Sequence, residues 1–164
     1  MRRDVRPIRI DTNSGIMHNT TMKHRRQVVI DTNVVVAAFR SKQGASFKLI
    51  QLVGKGKFEI NLSVPLVLEY EQASKRSEWP GKPPWKYISD ILDYLCLEGR
   101  QRDIHFLWRP REKDPKDDMV LEVAVAGTCD CIITFNKHDF TDAHLFGLEL
   151  LTPQEFLRKT GEIP

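Results

Sequence analysis

The stretch Gln27-Val28-Val29-Ile30-Asp31-Thr32-Asn33 decides the fold. Three consecutive β-branched apolar residues end in an acid, with no alternation of apolar and polar positions. A strand with one wet face would alternate, so this run reads as a strand buried on both faces, the kind found in parallel sheets. Working outward, Cys131-Ile132-Ile133-Thr134 repeats the signal, Lys57 to Leu62 suggests a second strand, and Ile104 to Trp108 is a further candidate strand. Helical spacing lies between them, over Phe47–Val53, Ser63–Lys75, Trp85–Leu97 and Asp117–Ala126. Ser63 is a good N-cap, and Pro65 is tolerated in the first turn. Thr152-Pro153-Gln154-Glu155 opens a last helix with a capping box and proline at the first helical position. Trp79-Pro80-Gly81-Lys82-Pro83-Pro84 and the charged Arg109–Lys116 are loops. Alternating strands and helices predict an α/β fold with a mostly parallel sheet. Ligands in such folds sit outside the carboxyl ends of the strands. That rule directs attention to Asp31, to Ser63 onward and to Thr134 onward.

The chain has 164 residues, 41% of them apolar and 29% charged, which suits one soluble domain with a real core. Residues 1–28 carry seven basic and two acidic side chains, whereas residues 29–164 carry 18 basic and 20 acidic ones. The overall charge of +3 therefore comes from the leading segment, and the body is slightly acidic. Residues 1–26 lack periodicity and read as a flexible basic arm, leaving 27–164 as the folded domain. The arm has no apolar core, so it does not read as a secretory leader, and Met22 stands where a translation start is conceivable. Within it, Ile10-Asp11-Thr12-Asn13 echoes Ile30–Asn33 by chance, since Ser14-Gly15 cannot continue as the second copy does. No apolar run is long enough for a membrane span. Cys96, Cys129 and Cys131 make neither a disulfide framework nor a paired zinc motif, so the protein is expected to be cytoplasmic with reduced thiols.

The candidate chemistry lies in carboxylates. Asp31 ends a buried strand, where it either caps the next turn or serves a crevice. Glu69 sits beside the apolar stripe of its helix, where a carboxylate is costly unless paired or bound to a cation. Glu71 lies about 200° around that helix and cannot share the same site. Asp114, Asp117 and Asp118 exceed what one helix cap needs, and their repulsion asks for a counter-charge from Lys113, Lys116 or a metal. Glu122 lies one turn after Asp118 and can share its face. Asn136 and Asp139 follow the last clear strand three residues apart; they face one side of a helical turn, unless Asn136 is a cap. Oxygen-only donors at the ends of α/β elements suit Mg2+ or Mn2+ rather than zinc.

These residues together resemble the PIN-domain family, metal-dependent ribonucleases of the VapC-like toxin kind, and within it the toxin–antitoxin branch. The likeness runs from about Gln27 to Leu157. It is carried by Val28–Val34, by Leu62-Ser63-Val64-Pro65-Leu66-Val67-Leu68-Glu69-Tyr70, by Asp114–Ala124, by Ile133–Phe140 and by Leu151–Leu157. The resemblance implies a three-layer α/β/α sandwich around a mostly parallel sheet. It also implies an acidic Mg2+ or Mn2+ site that hydrolyses RNA by activated water, without a covalent intermediate. Asp31, Glu69, Asp118 and Asp139 match the four acids that hold the metal and carry catalysis. Asn33, Thr134 and Asn136 would orient them; Asn136 stands where an acid is an alternative and brings no charge. A small antitoxin protein and a homodimer are implied partners.

Two other readings compete. A catalytically silent module of the same fold would bind RNA or a protein partner, and Asn136 is its best support. A phosphotransferase using a strand-ending aspartate wants a second acid two residues on, and Asn33 cannot serve. The nuclease reading requires Asp31, Glu69, Asp118 and Asp139 to meet at one cavity, with none neutralised by lysine or arginine in place of an ion.

Overall fold

In a computed structural model, the described residues are 25–105 and 115–164. The chain forms β1 (Arg26–Ile30), α1 (Thr32–Arg40), α2 (Ala45–Leu52), β2 (Phe58–Leu62), α3 (Val64–Arg76), α4 (Trp85–Glu98), β3 (Arg100–Gln101), α5 (Pro115–Ala126), β4 (Cys131–Ile133), β5 (Glu149–Leu151) and α6 (Pro153–Lys159). Two single-turn 3-10 helices, Lys137–Asp139 and Ala143–Phe146, lie between β4 and β5.

The sheet order is β3-β2-β1-β4-β5, and every pairing is parallel. Val28 pairs with Ile60 on one side and Cys131 on the other, which places β1 at the centre. Its Val28, Val29 and Ile30 are buried, as are Ile132 and Ile133 of β4. A strand covered on both faces by helices has no wet side, which is why these runs are apolar throughout. The result is the expected three-layer α/β/α fold. Helix α5 packs on β1, β2 and β4, while α1 packs on α2 and α3, α2 on α6, and α3 on α4.

Several elements follow the sequence closely. Ser63 caps α3 by accepting the Leu66 amide at 3.3 Å. Thr152 and Glu155 form the reciprocal capping box of α6, with Pro153 in its first turn. Other elements differ. The candidate strand Ile104–Trp108 is not one where it is described, because Ile104 and His105 have no regular structure and 106–108 lie outside the described residues. The sheet is extended instead by the exposed pair Arg100–Gln101. Helix α1 begins immediately after β1, although Val34-Val35-Val36 are poor helix formers. The proposed arm, Asp114 and most of the Arg109–Lys116 loop also fall outside the described residues.

The strand order reverses between β1 and β4. Chain leaves β1 towards β2 on one side and leaves β4 towards β5 on the other, opening a crevice at their carboxyl ends. Asp31 and Thr134 are the first residues beyond those two ends. Asp31 N donates to Ile133 O at 2.9 Å and Thr134 N to Leu151 O at 2.9 Å, so both are held by the sheet itself. Buried Tyr70 of α3 donates to the carbonyl of Ile30, fixing Glu69's helix against the same strand end. Cys129 and Cys131 are buried, and desolvation pushes both thiols up to about 12, so they stay protonated at neutral pH. No helix among the described residues is long and apolar enough to cross a membrane.

Candidate active site

A cavity of about 560 Å³ opens at this crevice, and Asp31, Glu69 and Asp139 all line it. Each arrives by a different route. Asp31 occupies the N-cap position of α1, but its side chain makes no capping hydrogen bond. Its Oδ2 instead accepts the Thr134 hydroxyl at 2.6 Å. Thr134 Oγ1 also accepts the Asn136 amide at 2.9 Å and the Asn33 side-chain amide at 3.4 Å. Asn33 Oδ1 in turn accepts the Phe135 amide at 3.4 Å. Thr134, wholly buried, is thus the hub that fixes Asp31 and the loop carrying Asn136. Asn136 and Asn33 both line the cavity, and the Asn136 side chain does not cap the 3-10 turn that follows it.

Asp31 is 7% exposed. Desolvation raises its pKa above the ordinary carboxylate value, and the charge of Asp139 pushes the same way. The Thr134 hydroxyl and the nearby amides of Thr32 and Asn33 oppose that shift without overcoming it. Among the described residues, no lysine, arginine or histidine pairs with Asp31. Asp139 ends the 3-10 turn, and its Oδ1 lies 2.9 Å from His138 Nε2.

Glu69 is buried and differently placed. Its Oε1 accepts Arg76 at 3.0 Å and Lys116 at 2.9 Å. Glu71 faces elsewhere and pairs with Lys75 one turn on. The requirement that none of the four acids be neutralised by lysine or arginine is therefore not met at Glu69, where an ion would have to displace both partners. Asp118 is 1% exposed and is not among the cavity-lining residues, whereas its neighbour Asp117 is. Glu122 is also buried and lines a separate cavity of about 420 Å³ with Arg102 and Asp103. Among the described residues, no three Asp, Glu, His or Cys side chains stand close enough together to hold an ion as they are.

The donor set is nonetheless all oxygen, the chemistry of a hard divalent cation rather than of zinc. A desolvated carboxylate repelled by a second one is an unmet demand for positive charge. The cavity meets part of that demand with side chains the sequence analysis did not single out as site groups: Arg40 and Arg76 line it, together with Lys116. One signal was available. Arg76 follows Glu69 by seven residues, two helical turns, and so lies on the same face of α3.

Comparison with known proteins agrees with this architecture. A family model described as PIN domain matches residues 27–138. That span holds Asp31, Glu69, Asp118 and Asn136 and ends one residue before Asp139. No curated protein matches the chain significantly. Among solved structures, a chain in the crystal structure of VapBC2 from Rickettsia felis bound to a DNA fragment from their promoter is similar in fold, with a TM-score of 0.52. It is 15% identical, and the match covers 77% of this chain and 98% of that one.

Proposed function

The chain belongs to the PIN-domain family, and on that premise we propose that it is a Mg2+- or Mn2+-dependent ribonuclease, the toxin of a toxin–antitoxin pair acting in the cytoplasm. The observation that carries this reading is Asp31: a buried carboxylate at the switch point of the sheet, facing a cavity, repelled by Asp139 and without a basic partner among the described residues. Left alone it destabilises the fold at neutral pH. A bound cation removes that penalty.

Asp31, Glu69 and Asp139 would hold the ion from the cavity wall, and Asp118, buried in the first turn of α5, would be the fourth acid of the set. When bound, such an ion activates water and stabilises the departing oxygen of a phosphodiester. The chain's own residues do the rest. Thr134 aims Asp31 Oδ2, Asn33 and Asn136 steady Thr134 and its loop, and Tyr70 keeps α3 in register with β1. The fold likeness to VapBC2 supports an antitoxin as partner.

The test is cleavage of single-stranded RNA by the full chain with Mg2+ or Mn2+, against EDTA and Asp31→Asn controls. Cleavage that needs the ion and is lost in the variant supports the reading; intact RNA in every arm overturns it. A silent module of the same fold is favoured by one observation, the pairing of Glu69 with Arg76 and Lys116. It predicts no gain of thermal stability on adding Mn2+.

A further inference from the structure

We propose that Arg40, Arg76 and Lys116 are the phosphate-binding side chains of this cavity, gripping the backbone of single-stranded RNA across the acids, with Trp79 positioning Arg40; the choice of RNA rests on the nuclease reading above. Residues 29–164 carry 20 acidic and 18 basic side chains, so the body as a whole does not attract a polyanion. Affinity for a phosphate backbone must then come from a local concentration of cations. Three helices deliver one. Arg40 stands in the last turn of α1, Arg76 ends α3, Lys116 is in the first turn of α5, and all three line the cavity.

Helix stability accounts for Arg40 and Arg76, cations in the last turns of α1 and α3, but not for Lys116. A lysine in a first turn opposes the helix dipole. Arg76 and Lys116, from two different helices, converge on the single oxygen Glu69 Oε1 and so bring two cations to one wall of the cavity. Their side chains are 56% and 46% exposed, so a phosphate reaches both. Arg40 is held differently. Its Cζ lies 5.3 Å from the centroid of the Trp79 ring, and Lys82 Nζ lies 5.3 Å from the same ring. Trp79 is itself packed against the core, a fixed plate for a guanidinium. Stacking of that kind leaves the N–H edge of arginine available for two-pronged contact with a phosphate. Glu69 is the resting place of Arg76 and Lys116. Neutralising Glu69 weakens its hold on both.

The experiment is fluorescence anisotropy of a labelled, unstructured single-stranded oligoribonucleotide titrated with the full chain in EDTA over a range of salt. The logarithm of affinity should fall linearly with the logarithm of salt. Arg40→Gln, Arg76→Gln and Lys116→Gln should each flatten that slope by about 0.7, the share of one phosphate contact on a single strand. Arg158→Gln, on α6 away from the cavity, should leave it unchanged. Glu69→Gln should tighten binding, and by less once Arg76→Gln is present. Trp79→Leu should weaken binding in the parent and not in the Arg40→Gln background; an equal loss in both overturns its positioning role. Unchanged slopes in all three cation variants, with melting temperatures showing them folded, overturn the proposal, as does absence of binding at low salt. Slopes that flatten as expected on RNA that Mn2+ leaves intact uphold these ligands and sink the nuclease reading; cleaved RNA with unchanged slopes does the reverse.

Discussion

The hydroxyl of Thr134 reaches Asp31 Oδ2 at 2.6 Å, joining residues 103 positions apart in the chain. The bond spans the two central strand ends where the sheet reverses its order. It holds a buried acid of the cavity in one orientation, and Thr134 Oγ1 also accepts from Asn136 N, which fixes the loop that brings Asn136 and Asp139, and from the side chain of Asn33.

Thr134→Val keeps the shape of that side chain and removes its hydrogen bonds. Asp31 then loses the largest influence opposing its desolvation, so its pKa should rise further. Stability at neutral pH should fall by about 1–3 kcal/mol, the usual cost of leaving a buried polar group unsatisfied. Urea denaturation measures the loss. The acid limb of the RNA-cleavage pH profile should move to higher pH in the same variant.

Asp31→Asn should abolish cleavage and yet stabilise the metal-free protein. The folded-state pKa of Asp31 lies above its value of 3.8 in an unfolded chain. The native state therefore holds the proton more tightly, and stability falls as pH rises from about 3.8 through the elevated pKa. An amide carries no such penalty. Thermal melts in EDTA should show a higher midpoint for the variant at pH 7 and a shrinking difference as pH drops towards 4.

Mn2+ should raise the melting temperature of the parent chain and leave Asp31→Asn unmoved. At 100 times its dissociation constant an ion that binds only the folded state adds about 2.7 kcal/mol. Because Asp31 must give up its proton to hold a cation, the stabilisation should weaken as pH falls, at a higher pH than for an ordinary carboxylate. A flat melting curve at saturating Mn2+ would count for the silent-module reading.

Thr152→Ala should cost about 1 kcal/mol of stability without altering cleavage, since it removes the cap of α6, a helix that contributes no side chain to the cavity lining. Its partner Glu155 is held at a pKa of about 2, chiefly by its hydrogen bond from Lys137. That contribution is complete above pH 4.5 and fades as pH falls towards 2. The pair is exposed, so solvent screening keeps it small beside the cap itself. Denaturation of Thr152→Ala at pH 7 measures the cap alone.

What was legible in the sequence was whatever burial writes into it. β1 and β4 carry apolar runs because helices cover both faces, and α3 and α6 announce themselves through Ser63 and the Thr152–Glu155 box. β3 left no trace, because an exposed edge strand of two residues, Arg100–Gln101, has no apolar pattern. α1 was hidden by its valines, whose intrinsic preference is for strands and is overridden by packing on α2 and α3. The strand-end acid Asp31 could be picked out from topology alone. Asp117 and Asp118 could not be told apart, since a helix apolar nearly all round carries no phase to say which neighbour faces the cavity. Arg40 and Arg76 were overlooked because each looks like an ordinary solvated helix residue until three helices are brought together, whereas Lys116 was named only as a counter-charge for its neighbouring aspartates.

The central strand is the first in chain order among the described strands, but its second flank is supplied only by β4, more than a hundred residues later. A nascent chain halted before Thr134 leaves the ribosome with that flank bare and Asp31 untethered. Premature termination therefore yields an inert and protease-sensitive fragment. Under the nuclease reading proposed above, such a fragment has no assembled site with which to cut RNA.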